Sequence, residues 1–229
     1  MSASAIGRGV TLALFDLDHT LLSGDSDVLW CDFLMAQGLL DEADFGLRNA
    51  AMDAAYRAGT VAPLDYANFY VGTLAGREPQ AWEPVRQRFL DQEIAPRIPA
   101  AARELVRDHQ SEGATVVLTT ATNRYLTELT ALHLGVAHLI ATEPEVEQGR
   151  FTGRIRGVPN MRAGKVERLN AWLAEQGRTL ATYRSAAYSD SINDLPLLQA
   201  TDHPVAVDPD PRLRQEAQAR GWRILELVR

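Results

Sequence analysis

Apolar residues along this chain fall into two alternating rhythms. Short unbroken apolar runs, too brief for helices, occupy 10–15, 115–119, 138–141, 185–188 and 204–207, with a weaker one at 223–226. Each reads as a strand buried on both faces. Between them, apolar positions recur at helical spacing over 100–112, 123–134, 163–176, 192–199 and 211–220. Strands alternating with helices of this length predict an α/β fold built on a doubly wound, mostly parallel sheet.

One interval breaks the alternation. From Asp25 to Ile94 there is no strand-like run, and four amphipathic stretches at 28–37, 43–57, 64–74 and 80–92 predict a small helical domain inserted after the first strand. The organisation expected is therefore a core of residues 1–24 and 95–229 carrying a helical cap at 25–94. Two prolines in Ala95-Pro96-Arg97-Ile98-Pro99 mark the return to the core. The glycine-punctuated stretch 147–155 predicts a hairpin between the third strand and the next helix.

Composition narrows the class. The 229 residues are 46% hydrophobic and 23% charged, enough apolar material for a sizeable core and inconsistent with global disorder. A formal net charge of −7 argues against binding a phosphate backbone, so no nucleic-acid partner is expected. The lone Cys31 lies in an apolar helical stretch and suits a buried thiol in a reducing compartment. The N-terminus, Met1 to Ala5, lacks a basic segment followed by an apolar one, and no apolar run of membrane-spanning length exists. A cytoplasmic, unanchored protein is expected. Oligomeric state is not legible. Of 23 basic residues 22 are arginine, which makes the single Lys165 a position that calls for an ammonium.

Candidate chemistry gathers where strands end. The first strand runs into Asp16-Leu17-Asp18-His19-Thr20, two carboxylates two residues apart at the carboxyl edge of a parallel sheet, where open α/β folds bind ligands. The second ends in Thr119-Thr120-Ala121-Thr122-Asn123, hydroxyls before a helix start that suit phosphate oxygens; Thr122 itself reads as an ordinary helix cap. Lys165 follows Gly164 at the start of a helix, where the dipole disfavours a cation unless an anion is near. The fourth strand leads into Ser189-Asp190-Ser191-Ile192-Asn193-Asp194, a second acidic cluster. Oxygen ligands without a His or Cys cluster favour magnesium over zinc.

In that order the four segments resemble the motifs of the haloacid dehalogenase-like phosphatase superfamily, in its phosphoserine phosphatase-like branch with a helical cap. Asp16 to Thr20 matches the first motif, Thr120 the second, Gly164-Lys165 the third and Ser189 to Leu195 the fourth, where many members carry Gly in place of Ser189. The resemblance implies a Rossmann-like core and a phosphatase in which Asp16 is the nucleophile that becomes an aspartyl-phosphate and Asp18 the general acid and base. Asp16, Asp190 and the main-chain carbonyl of Asp18 would hold Mg2+, with Asp194 behind them. Thr120, the Ala121 amide, Lys165 and Asn193 would meet the phosphoryl oxygens. A dehalogenase needs no second aspartate, and a receiver domain would be about half as long with no cap. A phosphotransferase could resolve the same intermediate on another hydroxyl.

The substrate expected is a small phosphorylated metabolite. Residues 25–94 hold 12 acidic and 5 basic residues, which places the whole formal charge of −7 on the cap. Phosphoserine phosphatases hold the substrate amine with a cap-side acid nine positions beyond the nucleophile, the place of Asp25, and the carboxylate with a cap arginine. The matching stretch here, 65–71, has no cation, and only Arg57 could reach in from another helix. This pattern implies an amine-bearing phosphomonoester without a carboxylate, such as histidinol phosphate, whose ring would suit Tyr66, Phe69 and Tyr70. Phosphoserine is the alternative.

Overall fold

The computed structural model describes residues 9–227. Met1 to Ala5, read above for a leader, lies outside that range. Six parallel strands form the central sheet in the order β3-β2-β1-β6-β7-β8, from β1 (Leu12–Phe15), β2 (Thr115–Asn123), β3 (His138–Thr142), β6 (Ser185–Ser189), β7 (His203–Val207) and β8 (Arg223–Leu225). β1 is central because its four residues, Leu-Ala-Leu-Phe, are buried on both faces and carry no side chain that needs water. It pairs with β2 through Phe15↔Leu118 and with β6 through Phe15↔Tyr188. The carboxyl ends of β1, β2 and β6 therefore lie side by side.

Five helices cover the sheet: α5 (Ala100–Ser111), α6 (Arg124–His133), α7 (Ala163–Ala174), α8 (Leu195–Ala200) and α9 (Pro211–Arg220). Leu12 and Leu14 face a core with Leu169, Leu173, Leu198 and Leu213, whereas Ala13 and Phe15 face the other with Leu105, Leu118 and Tyr188. This is the period-two alternation of a strand turned into two cores. The glycine-punctuated stretch forms an antiparallel hairpin of β4 (Pro144–Glu147) and β5 (Arg150–Ile155), starting three residues earlier than its alternation suggests.

The segment between β1 and α5 is helical throughout: α1 (Ser26–Ala36), α2 (Glu42–Ala58), α3 (Pro63–Val71) and α4 (Glu83–Phe89), with a 3-10 turn at Gly72–Leu74 and a π-turn at Leu90–Ile94. Its entry and exit are pinned together by a hydrogen bond from Ser23 N to Arg97 O at 2.8 Å. The helices share a small apolar cluster of their own, in which Cys31, Tyr66 and Tyr70 are buried with Phe45, Met52 and Tyr56 of α2 packed against them. Trp30, Phe33 and Leu34 of α1 and Phe89 and Ile94 join the same buried cluster as Phe15, Leu17 and Tyr125. Arg86 of α4, buried, donates to the Tyr125 carbonyl at 2.6 Å. By contrast α2, 17 residues long, buries only Asn49. One side of the insert is thus fused to the core by apolar packing, while α2 packs on its other side through Phe45, Met52 and Tyr56.

Candidate active site

The chain leaves β1 in a tight turn in which Leu17 O accepts from the backbone N–H of Thr20, Leu21 and Leu22. His19 takes the left-handed φ of 57° and its N–H bonds to Gly24 O at 2.9 Å. The turn aims the two aspartates at different neighbours. Asp16 Oδ1 accepts from Lys165 Nζ at 2.6 Å, and Thr20 Oγ1 lies 3.1 Å from both Asp16 Oδ2 and Asp190 Oδ1. Asp18 meets no cation among the described residues: Oδ1 accepts from the backbone N–H of Ser26 at 2.7 Å and from its hydroxyl, while Oδ2 accepts from Thr122 Oγ1 at 3.0 Å and Thr120 Oγ1 at 3.3 Å.

Both threonines reach Asp18 because β2 continues past Thr119 as far as Asn123, so that 120 and 122 share one face. Thr119 turns the other way and accepts from Asn160 Nδ2 at 3.0 Å. Thr122, however, is not the helix cap. Asn123 caps α6, its side chain accepting from Leu126 N at 3.2 Å, and Thr122 is fully buried between Asp18 and Asp27, 3.0 Å from Oδ2 of each. The alternation Thr120-Ala121-Thr122 was the signal for this, since two hydroxyls two apart on a strand face the same way.

Lys165 is buried and also donates to Asp194 Oδ2 at 2.6 Å. Burial alone would lower its pKa, but Asp16 and Asp194 outweigh it and hold the ammonium above its ordinary range. The anion that the helix start required is therefore this carboxylate pair. Gly164 is obligatory beside it: a Cβ there would stand 2.2 Å from Pro159 O. Asp194 also accepts from Ser189 Oγ at 2.8 Å, so its place is behind Lys165.

The carboxylates are under strong electrostatic stress. Burial, then Asp194 and Asp18, push Asp16 up to about 7 against the pull of Lys165, and burial together with Asp16 and Asp194 raises Asp190 well above the usual range. Asp16 and Asp194 share one ammonium, and Asp190 meets Asp16 through the Thr20 hydroxyl. No three acidic, His or Cys side chains close a ready-made metal cage among the described residues. The donor set nevertheless fits magnesium, which takes one or two carboxylates and completes its shell with water and substrate oxygens.

Of the substrate-side residues, Asp25 caps α1, its Oδ1 accepting from Asp27 N at 2.9 Å and Val28 N at 3.1 Å, and burial pushes it up to about 8. Asp27, which the sequence did not single out, is buried beside it with Oδ1 unpartnered, and burial raises it well above the ordinary value. Tyr66 and Tyr70 are buried with Cys31 and Met161, and Tyr66 packs at a tilt against Tyr56 with centroids 4.6 Å apart. Arg57 is mostly exposed and paired to Asp53 at 2.9 Å, but it lines a cavity of about 390 Å³ together with His19, Tyr56, Asp190 and Arg212. His19, within the first motif, is thus part of the cavity wall.

Asn193 is buried and already engaged: Oδ1 accepts from Arg162 Nε at 3.1 Å and Nδ2 donates to Tyr56 O at 3.4 Å. Arg162 is the other residue that the sequence did not reveal. Its φ of 53° and ψ of −125° are in a sparsely populated region, a strain of about 1–3 kcal/mol for a residue with a side chain.

Paired carboxylates, a buried lysine and converging hydroxyls at the carboxyl edge of a parallel sheet define this chain as a phosphatase of the Rossmann-like type. A family model described as haloacid dehalogenase-like hydrolase matches residues 13–199, and the chain belongs to that family. It is 37% identical over 216 residues to a histidinol-phosphatase of Neisseria meningitidis serogroup C (strain 8013), covering 93% of this chain and 97% of that protein. It is 32% identical over 222 residues to the phosphoserine phosphatase SerB1 of Mycobacterium tuberculosis (strain ATCC 25618 / H37Rv), covering 93% of this chain and 69% of that one. Among solved structures, a protein of unknown function from Bordetella pertussis Tohama I superposes with a TM-score of 0.91 at 44% identity, covering 96% and 99% of the two chains. A phosphoserine phosphatase in a phospho-aspartyl analogue state shares the fold, with a TM-score of 0.67 at 17% identity over 96% and 94% of the chains. No helix among the described residues is long and apolar enough to cross a membrane.

Proposed function

We propose that this chain is a Mg2+-dependent phosphomonoester hydrolase that works through an aspartyl-phosphate on a small amine-bearing metabolite such as histidinol phosphate. The observation that carries the reaction is the contrast between the two aspartates. Asp16 faces an ammonium that keeps an anionic nucleophile available, while Asp18 is held by hydroxyls and an amide alone, as suits a group that gains and loses a proton.

Asp16 Oδ attacks phosphorus as the P–O bond to the leaving group breaks, and Asp18 passes its proton to the departing alkoxide. Asp18 then takes a proton from water as the water oxygen attacks phosphorus and releases the Asp16 carboxylate. Lys165, Thr120, the Ala121 amide and Asn193 neutralise the phosphoryl oxygens. Asp16, Asp190 and the Asp18 carbonyl would hold Mg2+, with Asp194 behind, and the bound ion would supply positive charge to the transferring group. Residues 25–94 act as a cap that excludes water during transfer. The buried Cys31 thiol suits action in the cytoplasm.

Three observations support the substrate class. The formal charge of −7 lies on the insert, Asp25 and Asp27 are buried next to Tyr66, and Arg57 is neutralised by Asp53. A substrate ammonium finds partners there. The Neisseria relative's name agrees with this reading. Phosphoserine is the second reading, favoured by the position of Arg57 on the cavity wall.

Measuring kcat/KM for histidinol phosphate and phosphoserine side by side, with Mg2+, tests the substrate. Preference for phosphoserine would reject the first reading, as would an Asp25→Asn variant with unchanged discrimination. Asp16→Asn is expected to lose several orders of magnitude in rate while remaining folded. Phosphate appearing on an added acceptor alcohol in place of water would make the chain a phosphotransferase.

A further inference from the structure

The C-terminal end of α2 carries Tyr56 and Arg57 on the wall of the cavity, and besides the packing of Met52 and Tyr56 on the insert's aromatic cluster it is held to the core by hydrogen bonds. Its seat is made by polar groups of the core. Arg162 Nη2 donates to Gly59 O at 3.0 Å, and Asn193 Nδ2 donates to Tyr56 O at 3.4 Å. Gly59 ends the helix in the left-handed conformation, φ 73°, leaving carbonyls at the negative end of the helix dipole for cations to meet. A second core arginine, Arg212, flanks the same point: a Cβ on Gly59 would stand 3.2 Å from its Nη2. The Arg162 guanidinium also donates through Nε to Asn193 Oδ1 at 3.1 Å, so one planar group joins the fourth-motif amide to the end of α2.

We propose that Arg162 is a positioning residue that couples the seating of the α2 end over the site to the orientation of Asn193. With Arg162 bonded on both sides, the Asn193 side chain is fixed as donor toward α2 and acceptor toward Arg162, and it cannot turn while α2 is seated. Release of α2 frees both partners at once. The backbone supports the assignment independently. A glycine would take φ 53°, ψ −125° without strain, and the chain holds an arginine there, three residues before Lys165, so that its side chain reaches both partners. The inference rests on the proposed role of Asn193 at the phosphoryl group.

The test uses the full chain and an Arg162→Gly variant, which relieves the strain and removes the guanidinium. Without substrate, amide exchange at Gly59 and Thr60 is expected to accelerate about tenfold or more while β1 amides keep their protection. Tm should be no lower than in the parent. Against histidinol phosphate, kcat/KM should fall about tenfold, and in an Asn193→Ala background the same change should add less than about twofold, because the two residues act as a unit. Should Arg162→Gly fail to fold, Arg162→Gln is read by the same measurements. Native exchange at Gly59 and Thr60, or losses that multiply fully in the double variant, would overturn the proposal. If the parent turned over no phosphomonoester, the exchange measurement would still decide the coupling while the functional reading failed.

Discussion

Lys165 Nζ and Asp16 Oδ1 meet at 2.6 Å in a site from which water is almost wholly excluded, and the ammonium spends its second bond on Asp194 at the same distance. A compact cation fits between two carboxylates; a planar guanidinium would push them apart. Lys165→Arg is therefore expected to lose on the order of a hundredfold in kcat/KM, comparable to removing one charge-stabilising donor. Near-native steady-state kinetics for this variant would show that charge alone, without shape, satisfies Asp16.

The hydroxyl of Thr122 lies 3.0 Å from the carboxylates of both Asp18 and Asp27. Thr122→Val keeps the β-branched shape and removes that hydroxyl, taking from Asp27 a hydrogen bond at Oδ2 and leaving Asp18 Oδ2 to Thr120 alone. A loss of about 10- to 100-fold in kcat with little change in KM is expected, and Thr122→Ser should restore most of it. An unchanged kcat in Thr122→Val would remove Thr122 from the site.

Metal dependence follows from the crowding of Asp16, Asp190 and Asp194 around a single ammonium that pairs with only two of them. Activity is expected to vanish after metal stripping and return with Mg2+, whereas Ca2+ should inhibit because its larger, looser shell misplaces the oxygens. Full turnover in excess chelator would rule out a required divalent ion.

A pH effect on stability is expected away from the site. His109 is buried, with Nε2 2.7 Å from the Tyr188 hydroxyl, and burial lowers its pKa from the ordinary 6.5. The folded state then binds fewer protons than the unfolded one, so this contribution is complete above pH 6.5 and shrinks as pH falls below it. The raised Asp16, Asp25, Asp27 and Asp190 work in the opposite sense, which is why the test is a difference. Urea unfolding at pH 8 and pH 5.5 should show a smaller stability drop in His109→Gln than in the parent, since glutamine keeps a polar partner for Tyr188 and takes up no proton. Equal drops would mean that His109 is protonated in the folded chain.

How far the sequence reached depended on whether a feature is set by neighbours along the chain. The apolar runs marked every strand of the main sheet, because burial on both faces demands continuous apolar residues whatever the partner strand. Asp16, Asp18, Thr120, Lys165 and Asp190 were legible because each stands at a strand end or helix start, and parallel pairing brings those ends together. The pairing of Arg57 with Asp53 was also open to reading, as residues four apart on a helix face each other.

What only the tertiary structure decided concerns single side chains whose partners are distant in sequence. Thr122 meets Asp27 across 95 residues, Arg162 meets Gly59 across 103, and neither contact leaves a local pattern. The extension of β2 that turns Thr122 into the site arises from pairing with β3, through Thr120↔Ala141 and Asn123↔Thr142. The division of the insert's packing is of the same kind: helical periodicity announces an apolar face but not which surface covers it, and here Trp30 and Phe89 found the core of the sheet while Tyr66 and Tyr70 found Met52 and Tyr56. Periodicity and strand-end chemistry are properties of short segments and survive in the sequence, whereas rotamer, register and the choice of packing partner are settled only when segments compete for the same space.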